Sequence, residues 1–387
     1  MSRGWEGVAV ACPVTIPYAR TSDRAAHWWL GRALRALVDT SGLAKREIDG
    51  LIASAFTLGP DTSVALAEHF GLTPRYLDWL PTGGASGTMA LRRAARAVQA
   101  GDANVVACIA GDTARPGGFA ALVAEFSRFS AEAVWPYGEA GPNLPFALIT
   151  DNYLRTTGTA PEALAAIPIA SRANAAANPN ALLRHKPLDL AAWRASPMIV
   201  DPLRRDDCVM PCAGAEGFLV MDSARAAGLG LPHARILASI ERHNAFAEDP
   251  VATRGGWAMD AHALWAQASC GPGDMDCVQT YDDYPVIVAM QFEGLGLCLP
   301  GEGGRFAAAT DLRVGGALPH NTGGGQLGCG QAGAAGGFLG IVEALRQLTR
   351  QPLGAQVEGA RTALVSGYGM VTFDRCVASA AAVLAAS

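Results

Sequence analysis

The sequence predicts an internally duplicated α/β protein, and three observations carry that expectation. One plan occurs twice along the 387 residues: a glycine-rich turn, an apolar helix, a strand, and a strand end bounded by glycine. Both helices are apolar over a wide face, which places them between sheets rather than on the surface. Hydrophobic residues make up 50% of the chain and charged ones 17%, a composition that fits a large buried core.

The first copy begins at Gly83-Gly84-Ala85-Ser86-Gly87. It continues as a helix over Thr88–Ala100, with Met89, Leu91, Ala95 and Val98 at helical spacing and Gly101 as its stop. A strand over Asn104–Ile109 follows and ends at Gly111-Asp112. The second copy runs from the glycine-rich stretch Gly323–Gly333 through a helix near Ala334–Thr349, built on Phe338, Val342 and Leu345. Its strand covers Thr362–Ser366 and closes with Gly367-Tyr368-Gly369. The expected halves are residues 1–225 and 226–387. Residues 115–202 read as a loop-rich excursion from the first half, with helices such as Ala160–Asn178 inside it and room for a binding surface. Tyr284-Pro285-Val286-Ile287-Val288 reads as an apolar strand.

Several function classes are disfavoured. A net charge of −5 gives no basic footprint for nucleic acid. Met1–Arg20 has no signal-peptide pattern, and the apolar runs Asn104–Ala110 and Val377–Ala386 are too short to span a bilayer. Nine cysteines, an odd number without a framework, fit reduced thiols in a cytoplasm. Cys208 and Cys212 lack a second ligand pair, so no metal is expected. The G-x-G-x-x-G match at Gly328–Gly333 follows no strand and lacks the acidic residue that binds ribose, so no dinucleotide cofactor is expected either. Gly84-Ala85-Ser86-Gly87 misses the last glycine of a nucleophile elbow, and a helix N-cap is the simpler role for Ser86.

A set of ordered motifs then carries a specific resemblance. They are Glu47–Ile52, Gly83–Gly87 with its helix, Asn178–Ala181, Ser196–Leu203, Gln279–Tyr284, Gly294–Cys298, Asn321–Leu327 and Gly367–Gly369. With these the chain resembles the sterol-carrier-protein-x type of thiolase over nearly its whole length. The resemblance implies a five-layered α/β/α/β/α thiolase fold, a homodimer and an acyl-CoA substrate, with coenzyme A entering only as part of that substrate. It also exposes departures. Gly84 stands where the family keeps its nucleophilic cysteine, Gln331 where it keeps the activating histidine, and about Gly367, beside Tyr368, where it keeps the second cysteine. Ordinary thiolysis needs an activated thiolate, so it is disfavoured. The family's His-Asp-x-Phe motif is here Tyr281-Asp282-Asp283-Tyr284. In this the chain is similar to the thiolase-like aldolases of steroid side-chain degradation, which lack the nucleophile and work with a small OB-fold/zinc-ribbon partner. Their His-Pro-Gly stretch is not retained.

Retro-aldol cleavage of a 3-hydroxyacyl-CoA is the expected chemistry, because it needs proton transfer and enolate stabilisation but no covalent intermediate. Tyr281 is the expected acid/base or thioester-oxygen donor, and Tyr368 the second proton-transfer group. Gly84 and Gly369 are expected to supply the oxyanion hole. Asn321, Gly323, Gly324, Gly325 and Gln331 are expected to line the acyl-CoA pocket. Cys329 is the candidate for acyl transfer by a substitute nucleophile, and a silent acyl-CoA-binding subunit is the further alternative. Each residue also has a plain structural role open to it: a core tyrosine with a satisfied hydroxyl, or an inert buried thiol.

Overall fold

The computed structural model describes residues 4–118, 136, 141–371 and 376–387. The strands are β1 Val8–Ala19, β2 Gly50–Ser54, β3 Tyr76–Trp79, β4 Val105–Asp112, β5 Met198–Val200, β6 Leu203–Arg204, β7 Ala213–Asp222, β8 His233–His243, β9 Cys277–Gln279, β10 Thr362–Val371 and β11 Cys376–Ala386. Nine of them form one mixed sheet in the order β3-β2-β4-β7-β1-β8-β11-β10-β9, while β5 and β6 form a separate hairpin. The order contains the duplication. Outward from the antiparallel β1–β8 pairing, β7, β4 and β2 on one side correspond to β11, β10 and β9 on the other. Where β3 flanks β2 in parallel, a single parallel bridge between Val278 and His320 flanks β9.

Period-two alternation explains the continuous apolar strands, since side chains leave a strand on opposite faces and here both faces are covered. Val106, Cys108 and Ala110 of β4 enter a central core, whereas Val105, Ala107 and Ile109 enter an outer one. In β11, Ala380, Ala382 and Leu384 face the same central core, and Ala381 and Val383 face a third. The central layer holds two helices, α3 Ser86–Ala100 and α12 Gly336–Thr349. Outside lie α1 Ala26–Ser41 and α2 Ser63–Phe70 on one side, and α8 Trp257–Ala268 and α9 Pro285–Gly294 on the other. The two halves of the one sheet lie on either side of the central helices, so the layers run helix, half-sheet, helices, half-sheet, helix.

The two central helices touch at their N-termini through glycine. A Cβ on Gly87 would lie 2.1 Å from the Gly337 carbonyl oxygen, and one on Gly337 would lie 2.7 Å from the Gly83 carbonyl oxygen. Only hydrogen fits there.

The remaining helices are α4 Asn143–Thr157, α5 Pro161–Ala175, α6 Leu190–Ala195, α7 Ser223–Gly228, α10 Gly303–Ala309 and α11 Gly325–Cys329. They correct two expectations. The excursion over 115–202 is mostly helical where described, with α4 and α5 packed on α9 and α10; residues 119–135 and 137–140 of it lie outside the described residues. Tyr284–Val288 is not a strand: Pro285 occupies the first turn of α9, where its missing N–H costs nothing, and a helix buried all round is apolar all round. Among the described residues no helix is long and apolar enough to cross a membrane.

Candidate active site

The segment leaving β9 carries Tyr281, and one amide fixes its backbone. The Tyr281 N–H is shared between the Ser366 carbonyl and Gln291 Oε1, both at 3.2 Å, and Gln291 Nε2 donates to the Tyr281 carbonyl at 2.7 Å. Ser366 Oγ donates to Gln291 Oε1 at 2.6 Å, so this fully buried amide ties α9, β10 and the tyrosine segment together. Asn321 braces the same segment through its Oδ1, which accepts from the Thr280 N–H at 2.9 Å.

So held, the Tyr281 ring lies against Gly84, in the turn that opens α3. A Cβ on Gly84 would fall 2.2 Å from Tyr281 Cε2, 2.3 Å from Tyr281 Cζ and 2.3 Å from the Tyr368 carbonyl oxygen. These are less than normal carbon contact distances of about 3.5–4.0 Å. The space a side chain at position 84 would need is filled by the tyrosine.

Beyond the ring, three polar groups converge. Gln331 Nε2 donates to Tyr281 Oη at 3.2 Å and to Asp283 Oδ1 at 2.6 Å. Gln331 Nε2 thus sits between the Tyr281 hydroxyl and the Asp283 carboxylate and holds the two side by side in the cavity wall. Burial raises the Asp283 pKa to about 7, against the pull of its bonds to Tyr281 and Gln331. Burial, then the charge of Asp283, pushes the Tyr281 phenol well above its ordinary value, so it is neutral at physiological pH.

This cluster opens on a cavity of about 530 Å³, a size that suits a sizeable organic ligand. Tyr281, Asp283 and Gln331 line it together with Gly84, Gly369 and Tyr368. Its apolar wall includes Phe56, Pro142, Phe146 and Met370, while Arg20 and Arg115 contribute cationic side chains. Tyr368 stacks on Trp257 with ring centroids 5.4 Å apart, which fixes its ring. Asp112, at the end of β4, also borders the cavity. It accepts from the Phe56 and Thr57 N–H groups, the Thr57 hydroxyl and the Ala334 N–H, tying the first half to the turn before α12.

The structure therefore brings together Tyr281, Tyr368, Gly84, Gly369 and Gln331 from the sequence-predicted set. It places the others elsewhere. Asn321, Gly323 and Gly325 border a separate cleft of about 20 Å³, room for about one water, which shares only Gly84 and Tyr281 with the cavity. Gly324, at φ 108°, packs on α5, where a Cβ would lie 2.5 Å from that of Ala175. Cys329 is buried in the central core; its thiol donates to the Gly323 carbonyl at 3.2 Å, and burial pushes its pKa well up, so it presents no thiolate to the cavity. Ser86 caps nothing: it is the first residue of α3, and its hydroxyl donates to the Leu80 carbonyl at 3.0 Å. Among the described residues no three His, Cys, Asp or Glu side chains gather as a metal site.

Sequence reasoning passed over Asp283, Gln291 and Asp112. Two signals were available. Asp282 and Asp283 are adjacent acids before an apolar run, and Gln291 is a lone amide inside one. Polar groups in such settings are hydrogen-bonded.

A duplicated five-layered α/β body, with tyrosines where a nucleophile would stand, defines a thiolase-like protein equipped for non-covalent chemistry. Residues 238–381 match the thiolase C-terminal domain-like family. The chain is 30% identical over 330 residues to the 17-hydroxy-3-oxo-4-pregnene-20-carboxyl-CoA lyase of Mycobacterium tuberculosis, covering 81% of this chain and 84% of that protein. It is 27% identical over 370 residues to the steroid side-chain-cleaving aldolase of Thermomonospora curvata, covering 92% and 93% of the two. Among solved structures, the Ltp2-ChsH2(DUF35) aldolase superposes with a TM-score of 0.84 at 26% identity over 98% of both chains. A monomeric SCP2-thiolase-like protein from Mycobacterium smegmatis shares the fold, with a TM-score of 0.72 at 16% identity over 100% of this chain and 78% of that one. The chain belongs to the thiolase superfamily, among its aldolase-type C–C lyases.

Proposed function

We propose that the protein cleaves a 3-hydroxyacyl-CoA by a retro-aldol reaction, with Tyr281 taking the proton of the β-hydroxyl. One observation carries the reading: the Tyr281 ring fills the space a nucleophile at position 84 would need. The oxygen–hydrogen pair of the substrate becomes the new carbonyl bond, and the Cα–Cβ pair passes into a thioester enolate. Gly84 and Gly369 line the same cavity as Tyr281, and the amides of these two stretches are the proposed donors to the enolate oxygen. Protonation at Cα then yields the shortened acyl-CoA, and Tyr368 is the proposed acid for that step.

The substrate class follows from the cavity and the relatives. A volume of about 530 Å³ with an apolar wall suits a bulky hydrophobic acyl group, and two relatives are named for steroid substrates. Arg20 and Arg115 offer positive charge for the phosphates of coenzyme A. The Ltp2-ChsH2(DUF35) likeness supports an OB-fold/zinc-ribbon partner subunit. We extend the proposal to a homodimer, for which β3 provides a sheet edge that pairs with no further strand among the described residues.

The test is incubation of the chain, alone and with any co-encoded partner, with steroid and straight-chain 3-hydroxyacyl-CoAs. Mass spectrometry should find a shorter acyl-CoA plus a carbonyl product, without a covalent acyl adduct. Tyr281→Phe should lower kcat by about 10²–10⁴-fold. Unchanged turnover in that variant, or acylation of the protein, sinks the reading.

A further inference from the structure

We infer that Asp283 is the proton acceptor through which Tyr281 acts as a base, the two forming one proton-transfer unit held by Gln331; this rests on the retro-aldol reading above. A neutral phenol takes up a proton only by giving away its own. Tyr281 is neutral, so it needs an acceptor beside it, and Asp283, held on the same Gln331 nitrogen, is that group. An ionised carboxylate only accepts hydrogen bonds, which fixes two orientations. Gln331 must turn its NH₂ to Asp283 Oδ1, at 2.6 Å, and the same nitrogen lies 3.2 Å from Tyr281 Oη. With Gln331 donating to both oxygens, the Tyr281 O–H is free to turn to the neighbouring Asp283, and its oxygen keeps a lone pair for the cavity. Tyr281 thus offers substrate an acceptor, which suits a base and not a donor to the thioester oxygen.

The step balances without a further reactant. The β-hydroxyl proton passes to Tyr281 Oη while the phenolic proton passes to Asp283. The O–H electron pair forms the carbonyl, the Cα–Cβ bond breaks, and its pair enters the enolate. Tyr368 gives its proton to Cα and is reprotonated by the proton stored on Asp283, which restores the carboxylate.

The groups acting on Asp283 are few. Tyr281 and Asp282 come from its own segment, Cys208 from the stretch after β6, and Gln331 from the turn before α12. Across the cavity stand Tyr368, Asp112, Arg20 and Arg115. Burial aside, what acts on the Asp283 carboxylate is Tyr281 and Gln331, and not a cation. Activity should therefore rise with pH on a limb near 7, where Asp283 ionises.

The experiment compares wild type, Asp283→Asn, Asp283→Glu and Tyr281→Phe, as full chains with any partner subunit, on a 3-hydroxyacyl-CoA the wild type cleaves. Asp283→Asn should lower kcat by about 100-fold or more, leave KM within a few-fold, and abolish the acid limb. Asp283→Glu should regain part of the rate and a shifted limb, which a merely structural role would not do. In parallel, the infrared band of a protonated buried carboxyl, wild type minus Asp283→Asn, should titrate near 7 and move to higher pH in Tyr281→Phe. Wild-type kcat with an intact acid limb in Asp283→Asn overturns the proposal. If that variant does not fold, Asp283→Glu with an unmoved limb does the same. A wild type that cleaves no 3-hydroxyacyl-CoA overturns the aldolase reading instead; the infrared titration then decides the pairing, and a band unmoved by Tyr281→Phe refutes it.

Discussion

Restoring a cysteine at position 84 tests the geometry of the site most directly. In Gly84→Cys the new Cβ starts 2.2 Å and 2.3 Å from two ring carbons of Tyr281, and 2.3 Å from the Tyr368 carbonyl oxygen. Reaching an ordinary separation of about 3.5 Å needs a shift of about 1.2 Å on each side. The ring is tethered by Gln331, and the carbonyl belongs to β10, in the middle of a ladder with β11. Neither can rotate away cheaply. Overpacking with backbone displacement costs about 1–3 kcal/mol, and this site belongs at the upper end.

Urea unfolding of wild type, Gly84→Ala, Gly84→Cys and Gly84→Ala/Tyr281→Ala measures that cost. Each single variant should lose about 3 kcal/mol. The double variant removes the ring but not the Tyr368 carbonyl, so it should show non-additive rescue that stays incomplete. Incubated with acyl-CoA, Gly84→Cys should form no thioester. A Gly84→Cys protein that unfolds at the wild-type midpoint and gains an acyl mass would refute the reasoning, because it would mean the tyrosine yields its place freely.

Two further variants probe the frame around the site. Asp112→Ala leaves the Phe56, Thr57 and Ala334 N–H groups without their acceptor and should cost about 3 kcal/mol or more in a urea titration; a loss below about 1 kcal/mol would refute the linking role. Glu216, fully buried and accepting from Thr15 Oγ1 at 2.7 Å and Tyr18 Oη at 2.8 Å, has its pKa raised by burial from 4.5 to about 8. Within that window the folded chain keeps a proton the unfolded chain has released, so this group makes stability fall as pH rises, by about 1.4 kcal/mol per unit per proton. Glu216→Gln should remove that part of the slope, and an unchanged stability-against-pH curve between 4.5 and 8 would count against it.

Much of the frame was legible because it repeats. Glycine turn, apolar helix and strand recur in order, and α3, β4, α12 and β10 fall where that plan puts them, within a few residues at their ends. Motif order supplied the layers. In the excursion the helix at Pro161 was legible and α4 was not, because Pro142 at its N-cap and Pro145 in its first turn read as loop prolines. Pro285 misled in the same way. Within the site, Tyr281, Tyr368 and Gln331 were legible as substitutions against a known pattern. The Asn321–Gly325 run was not, because glycine permits close approach without naming what approaches. Here it is Glu343, Ala175 and Asp282, all from the protein itself. Asp283 was hidden for another reason: its role depends on a partner 48 residues away, and no local pattern carries that.

The contact between Gly84 and Tyr281 makes two departures from the thiolase pattern a single structural change. The turn before α3 comes from the first half, and Tyr281 from the segment after β9 in the second; they meet where the two central helices begin. One volume lies between them. A side chain on position 84 or the ring of Tyr281 can occupy it, but not both. Once the ring is there, a histidine serving a thiolate at position 84 has nothing to activate. An amide at position 331 is then the better neighbour, because its nitrogen donates to the phenol and the carboxylate together. On the proposed reading, the site has exchanged a group that attacks carbon for a set that holds and returns a proton. A retro-aldol reaction asks for that together with donors to the enolate oxygen.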